Sequence, residues 1–101
     1  MIEIREYPAF RRWLSGLTDD ASKAVIARRL MRLSVGNFGD AKSVGGGVAE
    51  LRIDYGPGFR VYFAREGMRV VFLLGGGNKS TQQLDIRKAQ ALWEDIKRTQ
   101  A

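Results

Sequence analysis

The 101-residue chain has no cysteine, no histidine and only two prolines. Without cysteine there is no disulfide, no thiolate metal site and no thiol nucleophile, and folding needs no oxidising compartment. Without histidine the Ser-His and Cys-His arrangements fall away, together with the usual zinc ligands and the one side chain whose ordinary pKa lies near neutrality. Any acid–base chemistry must use Lys, Arg, Tyr, Asp or Glu. Long apolar runs are missing too. The longest, Val70 to Leu74, is far too short to span a bilayer, and Met1-Ile2-Glu3-Ile4-Arg5-Glu6-Tyr7 alternates apolar and charged residues without the apolar core of a signal peptide. The expectation is a cytoplasmic protein with no membrane partner.

What is present has the balance of one globular domain over residues 1–101, with 45% apolar and 28% charged side chains. A chain of this length has no room for a separate cofactor domain, so large dehydrogenases, kinases and barrels are excluded and no cofactor is expected. Lys and Arg number 17 against 11 Asp and Glu, a formal charge of +6, and 12 of the cations are arginine. The planar guanidinium fork suits phosphate, which makes a polyanionic partner plausible. The charge is spread along the chain rather than gathered in a basic tail.

Ile2 and Ile4 suit a short first strand, and Pro8 sits where a helix can begin without its missing N–H. Phe10, Trp13, Leu14 and Leu17 then follow at helical spacing to a stop near Gly16. A second helix starts with Asp19 or Asp20 as N-cap, carries Ile26, Leu30 and Leu33 on one stripe, and ends at Gly36, which makes a helical hairpin. Residues 36–47, with five glycines and no apolar periodicity, read as a mobile loop. From Val48 the period becomes two: Ala49, Leu51, Ile53 and Tyr55 share one face, Glu50, Arg52 and Asp54 the other, and Gly56-Pro57-Gly58 turns the chain. Phe59, Val61 and Phe63 oppose Arg60 and Tyr62, and Val70 to Leu74 is apolar on both faces, as in a strand covered on both sides. These three strands form an antiparallel meander. A glycine run then leads to Ser80, which with Gln83 matches a capping box, and Ile86, Ala89, Trp93 and Ile96 mark a C-terminal helix. The fold class is α+β, with a helical hairpin and a C-terminal helix packed on a small antiparallel sheet.

Three constellations could carry chemistry. On the hairpin, Arg52, Arg60 and Tyr62 share a face flanked by Glu50 and Asp54, an open surface for gripping phosphate and stacking bases, or else a solvated face of cross-strand ion pairs. The run Gly75-Gly76-Gly77-Asn78-Lys79-Ser80 fails as a Walker A loop, since Asn78 and Leu73 stand where glycines are needed. It keeps the weaker promise of an anion held by Lys79 and a helix N-terminus, or of a plain turn. Arg28, Arg29 and Arg32 make a second basic set, a phosphate patch for RNA or else a solvated helix face. Trp13 and Trp93 lie on apolar stripes and belong to the core.

The strings Glu50-Leu51-Arg52 through Gly56-Pro57-Gly58-Phe59-Arg60-Val61-Tyr62-Phe63, and Leu73-Leu74-Gly75-Gly76-Gly77-Asn78-Lys79-Ser80-Thr81-Gln82 with Asp85, Ile86 and Ala89, resemble a known family. Nearly the whole chain looks like a RelE/ParE-superfamily toxin of a type II toxin–antitoxin system, of the HigB-like addiction module killer kind. The resemblance implies a RelE-like microbial RNase fold that enters the ribosome and cuts mRNA without metal, by attack of a ribose 2′-OH on the adjacent phosphate. It implies Arg60 at the scissile phosphate, Arg52 sharing that role, Lys79 where many members carry an arginine, and Asp85 where some carry a tyrosine or histidine, as a base or as a helix cap. Tyr62 would stack on a base or pack. The implied partners are the ribosome, mRNA and a cognate antitoxin with a helix-turn-helix domain. The same resemblance leaves open a ParE-like poison of DNA gyrase and a non-toxic antitoxin-binding module that takes part in operon autoregulation.

Overall fold

A computed structural model describes residues 1–100. The order is β1 (Glu3–Glu6), α1 (Pro8–Gly16), α2 (Asp20–Ser34), β2 (Ala41–Gly45), β3 (Val48–Ile53), β4 (Phe59–Glu66), β5 (Val70–Asn78), a 3-10 turn (Lys79–Thr81) and α3 (Gln82–Gln100). Pro8 occupies the start of α1 as its fixed φ allows. Asp19 caps α2, accepting from the Ala21 amide and the Ser22 hydroxyl. Gly36, at φ +88°, carries the chain out of α2 as its amide donates to the Leu33 carbonyl.

The sheet has five strands in the order β1-β5-β4-β3-β2. The expected meander is its centre, the expected first strand forms one edge, and β2 is added as the other. β1 pairs parallel with β5 (Glu3 opposite Val70, Glu6 opposite Leu73), which the alternating N-terminus could not reveal because its partner lies some seventy residues on. The stretch 36–47, expected to be a mobile loop, contains β2, antiparallel to β3 with Ala41 opposite Leu51 and Lys42 opposite Glu50. Its glycines are a hairpin turn: Gly45, Gly46 and Gly47 all have φ between 66° and 95°, a conformation other residues rarely adopt. β5 runs on through the glycine run, where Gly76 lies beneath the Trp13 ring and Gly77 beneath the Asp85 carboxylate, each leaving no space for a Cβ.

Alternation divides the core between the two faces of the sheet. Leu51, Ile53, Val61, Phe63, Val71 and Leu73 pack with Phe10 of α1 and Ile26 and Leu33 of α2. Tyr62, Ala64, Phe72 and Leu74 pack on the other face with Ala89, Trp93 and Ile96 of α3. The helices lie on both sides, which is why β5 reads as apolar throughout. Trp93 is in the second core, and Trp13 packs against the first. The capping box falls two residues earlier than expected: Asn78 accepts from the Ser80 amide, and its own amide donates to Thr81 Oγ1. A single 3-10 turn therefore precedes α3. Among the described residues no helix is long and apolar enough to cross a membrane.

Candidate functional site

Two-residue alternation places Arg52 of β3 and Arg60 of β4 directly opposite each other. Like charges in such a pair oppose strand association, so each guanidinium has a carboxylate of its own. Arg52 donates to Asp40, with Nη2 2.7 Å from Oδ1, in an exposed link. Arg60 is 8% exposed and stands 3.6 Å from the carboxylate of Glu50, which is 2% exposed. Its Nη1 also donates to the carbonyls of Gly58 (3.3 Å) and Phe59 (3.2 Å), while its buried Nε has no hydrogen-bond partner. Arg60 is thus clamped by its own strand and by Glu50.

The face expected to be open is covered. α3 lies over it, and Tyr62 is completely buried beneath, so no tyrosine surface is offered to a base. Its hydroxyl donates to Glu50 Oε2, 3.3 Å away. Burial first, then the neighbouring Glu50 charge, pushes the phenol well above its ordinary pKa. Gln82, at the start of α3, donates to the same Glu50 oxygen at 2.7 Å. One buried carboxylate therefore joins β3, β4 and α3.

Lys79 reaches the arginines across Gly58. A Cβ on Gly58 would stand 2.9 Å from Lys79 Cγ, and the glycine has φ +78°, so both turn and side-chain path depend on glycine here. Arg52, Arg60 and Lys79 line an open hollow of 310 Å³ together with Asp40, Asp54 and Gly58. The same two arginines also line a groove of 730 Å³ between β2 and α3. Among the described residues, no group of three or more His, Cys, Asp or Glu is placed to hold a metal ion.

The other expected residues are elsewhere. Asp85, in the first turn of α3, accepts from the Thr81 hydroxyl and lines a separate 510 Å³ groove with Arg12, Trp13 and Lys88. Arg28 and Arg32 are exposed on α2, which packs on the sheet face opposite α3. Arg29 donates from Nη1 to the Arg52 carbonyl (2.9 Å) and braces α2 against the end of β3. The sequence reading missed Asp40 as partner of Arg52, the linking role of Glu50 and Gln82, and the groove residues Lys42, Gln83, Arg87 and Gln90. The i, i+4 pair Gln83 and Arg87 could have signalled a polar stripe on α3. Lys42 lay hidden in the supposed loop.

The family model described as phage-derived protein Gp49-like (DUF891) matches residues 12–94, a span that includes every residue of the hollow. An uncharacterized protein of Haemophilus influenzae is 47% identical over 95 residues, 94% of this chain and 96% of that relative. By these matches the chain belongs to the phage-derived Gp49-like family, a family of RelE/HigB-like toxins.

Proposed function

We propose that the chain is the toxin of a type II toxin–antitoxin pair and blocks translation by cutting mRNA on the ribosome. The carrying observation is the convergence of Arg52, Arg60 and Lys79 on one hollow beside a long open groove. In-line attack of a 2′-OH on the neighbouring phosphate forms a 2′,3′-cyclic phosphate as the bond to the 5′-oxygen breaks, that oxygen taking a proton from solvent. The step needs alignment and stabilisation of the charge that gathers on the phosphoryl oxygens. Arg60, already clamped, meets that charge without reorganising, and Arg52 and Lys79 approach it from the opposite strand and from the end of β5. Donors placed in this way typically contribute about 3–4 kcal/mol each to transition-state stabilisation. Asp54 lines the hollow and makes no ion pair among the described residues, so it is better placed than Asp85 to take the 2′-OH proton. The buried Tyr62, held neutral, serves the support of Glu50 and not the chemistry. The protein partner is an antitoxin that masks these cations.

The test is cell-free translation of a defined mRNA with 5′ ends mapped, with and without ribosomes. Codon-phased cuts by the wild type, lost in Arg52→Ala and Lys79→Ala, support the reading. Intact mRNA with normal protein output overturns it, as do undiminished cuts by both variants. Asp54→Asn and Asp85→Asn, compared side by side, decide between the two carboxylates.

A further inference from the structure

The groove between β2 and α3 is more strongly cationic than the hollow. Lys42, Arg52, Arg60 and Arg87 line it against one carboxylate, the buried Glu50, whereas the hollow sets three cations against Asp40 and Asp54. Its 730 Å³ exceeds what a bare phosphate fills and falls among pockets that accept a small organic ligand. Val44 and Ile86 give it an apolar strip.

Two glutamines of α3 are fixed in it in one orientation. Gln90 donates from Nε2 to the carbonyls of Val44 (3.0 Å) and Gly45 (3.3 Å), and Gln82 donates from Nε2 to Glu50. Those partners only accept, so neither amide can be turned over. Each glutamine keeps Oε1 as an acceptor with no protein donor bonded to it among the described residues. Arg60, with its unpartnered buried Nε, adjoins them. Arg52 and Arg60 line both cavities, so the groove adjoins the hollow.

We propose that this groove is a nucleobase subsite, and that it prefers a base with an amino group at the position where uracil has its O4 carbonyl, N6 of adenine or N4 of cytosine, over uracil. The proposal rests on the RNA reading above. The amino group donates to a glutamine Oε1, the ring lies along Val44 and Ile86, and Lys42 and Arg87 take the following phosphate. Uracil presents a carbonyl where the amino group would be, so two acceptors face each other. One such hydrogen bond gained or lost corresponds to about a threefold to tenfold change in affinity.

The experiment is binding of labelled 2′-O-methyl hexanucleotides, which lack the attacking hydroxyl, to the purified protein at low salt, read by fluorescence anisotropy. Oligo-C is compared with oligo-U and oligo-A with oligo-inosine, pairs matched in size in which a carbonyl replaces the amino group and the adjacent ring nitrogen gains a proton. Tighter binding of oligo-C and oligo-A by about threefold to tenfold, reduced to within about twofold in Gln90→Met while oligo-U binding holds, is the expected result. Equal binding within each pair overturns the base subsite and leaves the cationic hollow standing. Discrimination that survives in both Gln90→Met and Gln82→Met overturns the assignment to the glutamines. Binding to none of the oligonucleotides overturns this subsite and leaves the RNA reading to the cleavage assay with ribosomes.

Discussion

Arg60→Ala removes the cation from beside a carboxylate that is 2% exposed. Breaking a buried ion pair from one side costs about 3–5 kcal/mol, because the remaining charge stays out of water without its partner. Here the low end applies. The Nε–Oε1 separation is 3.6 Å, and Glu50 keeps the Tyr62 and Gln82 donors after Arg60 is gone. A loss of about 3 kcal/mol is a large part of the roughly 5–15 kcal/mol expected for a domain of this size. Glu50→Gln in the Arg60→Ala background replaces the stranded charge by a neutral amide and should recover most of the loss, with a coupling of about 1–3 kcal/mol. Equilibrium urea unfolding followed by tryptophan fluorescence measures all four corners of the cycle. With a slope of about 1–3 kcal/mol per molar urea, the single substitution lowers the midpoint by about 1–3 M. An Arg60→Ala protein within about 1 kcal/mol of wild type, or a double variant no better than the single, would refute the reading of this pair as shielded from water. The consequence for function is practical. Loss of growth arrest in Arg60→Ala confounds chemistry with folding, so Arg52 and Lys79 are the cleaner probes.

Arg52 is over a third exposed in its link to Asp40 and Lys79 is on the surface, so Ala at either should stay within about 1 kcal/mol of wild type by urea. RNA cleavage should nonetheless fall at least about tenfold, and wild-type cleavage by both variants would remove the hollow from the mechanism. Gly58→Ala forces a Cβ onto φ +78° and against the Lys79 stem, for a loss of about 1–3 kcal/mol, whereas Gly16→Ala at the end of α1 meets open space. Equal thermal stabilities of these two variants would contradict the account of Gly58. Burial favours the protonated form of Tyr62, so its contribution to stability is fully present below the ordinary phenol pKa near 10 and is lost as pH rises beyond it. Urea midpoints between pH 9 and 11 should fall more steeply for wild type than for Tyr62→Phe, and parallel slopes would refute this.

The central strands and all three helices were legible because periodicity is local: Leu51, Ile53, Val61 and Phe63 alternate, and α2 carries its own cap at Asp19. The edges were legible only in part. β1 was expected from Ile2 and Ile4 but its parallel pairing with Val70–Leu73 was not, and β2, which shows no period strong enough to stand alone, takes its identity from its partner Ala49–Leu51. The glycines misled in both directions, since those at 45–47 make a turn where a loop was expected, while Gly75–Gly77 continue a strand beneath Trp13 and Asp85. Arg52, Asp54 and Arg60 of the hollow could be named from the hairpin pattern and Lys79 from the glycine run, but Asp40 and the burial of Arg60 could not. Alternation tells which residues share a face; it does not tell whether a helix some twenty residues later will cover it, and that cover turned Tyr62 from a stacking surface into a support for Glu50.

The two arginines opposite each other favour a binding site over a merely solvated face. A strand pair shaped for stability alone gains from opposite charges across that position, whereas this one carries like charges and recruits Asp40 and Glu50 to tolerate them. The two partners differ in kind. Asp40 is exposed, and a pair of that sort contributes about 0–1 kcal/mol, so an incoming phosphate can displace it at small cost. Glu50 is buried and bound by three groups, so Arg60 does not move. One cation is fixed and the other releasable. On the proposed reading, a phosphate entering between them relieves the repulsion that the hairpin otherwise carries, and an unfavourable feature of the free fold would become part of the affinity for the anion.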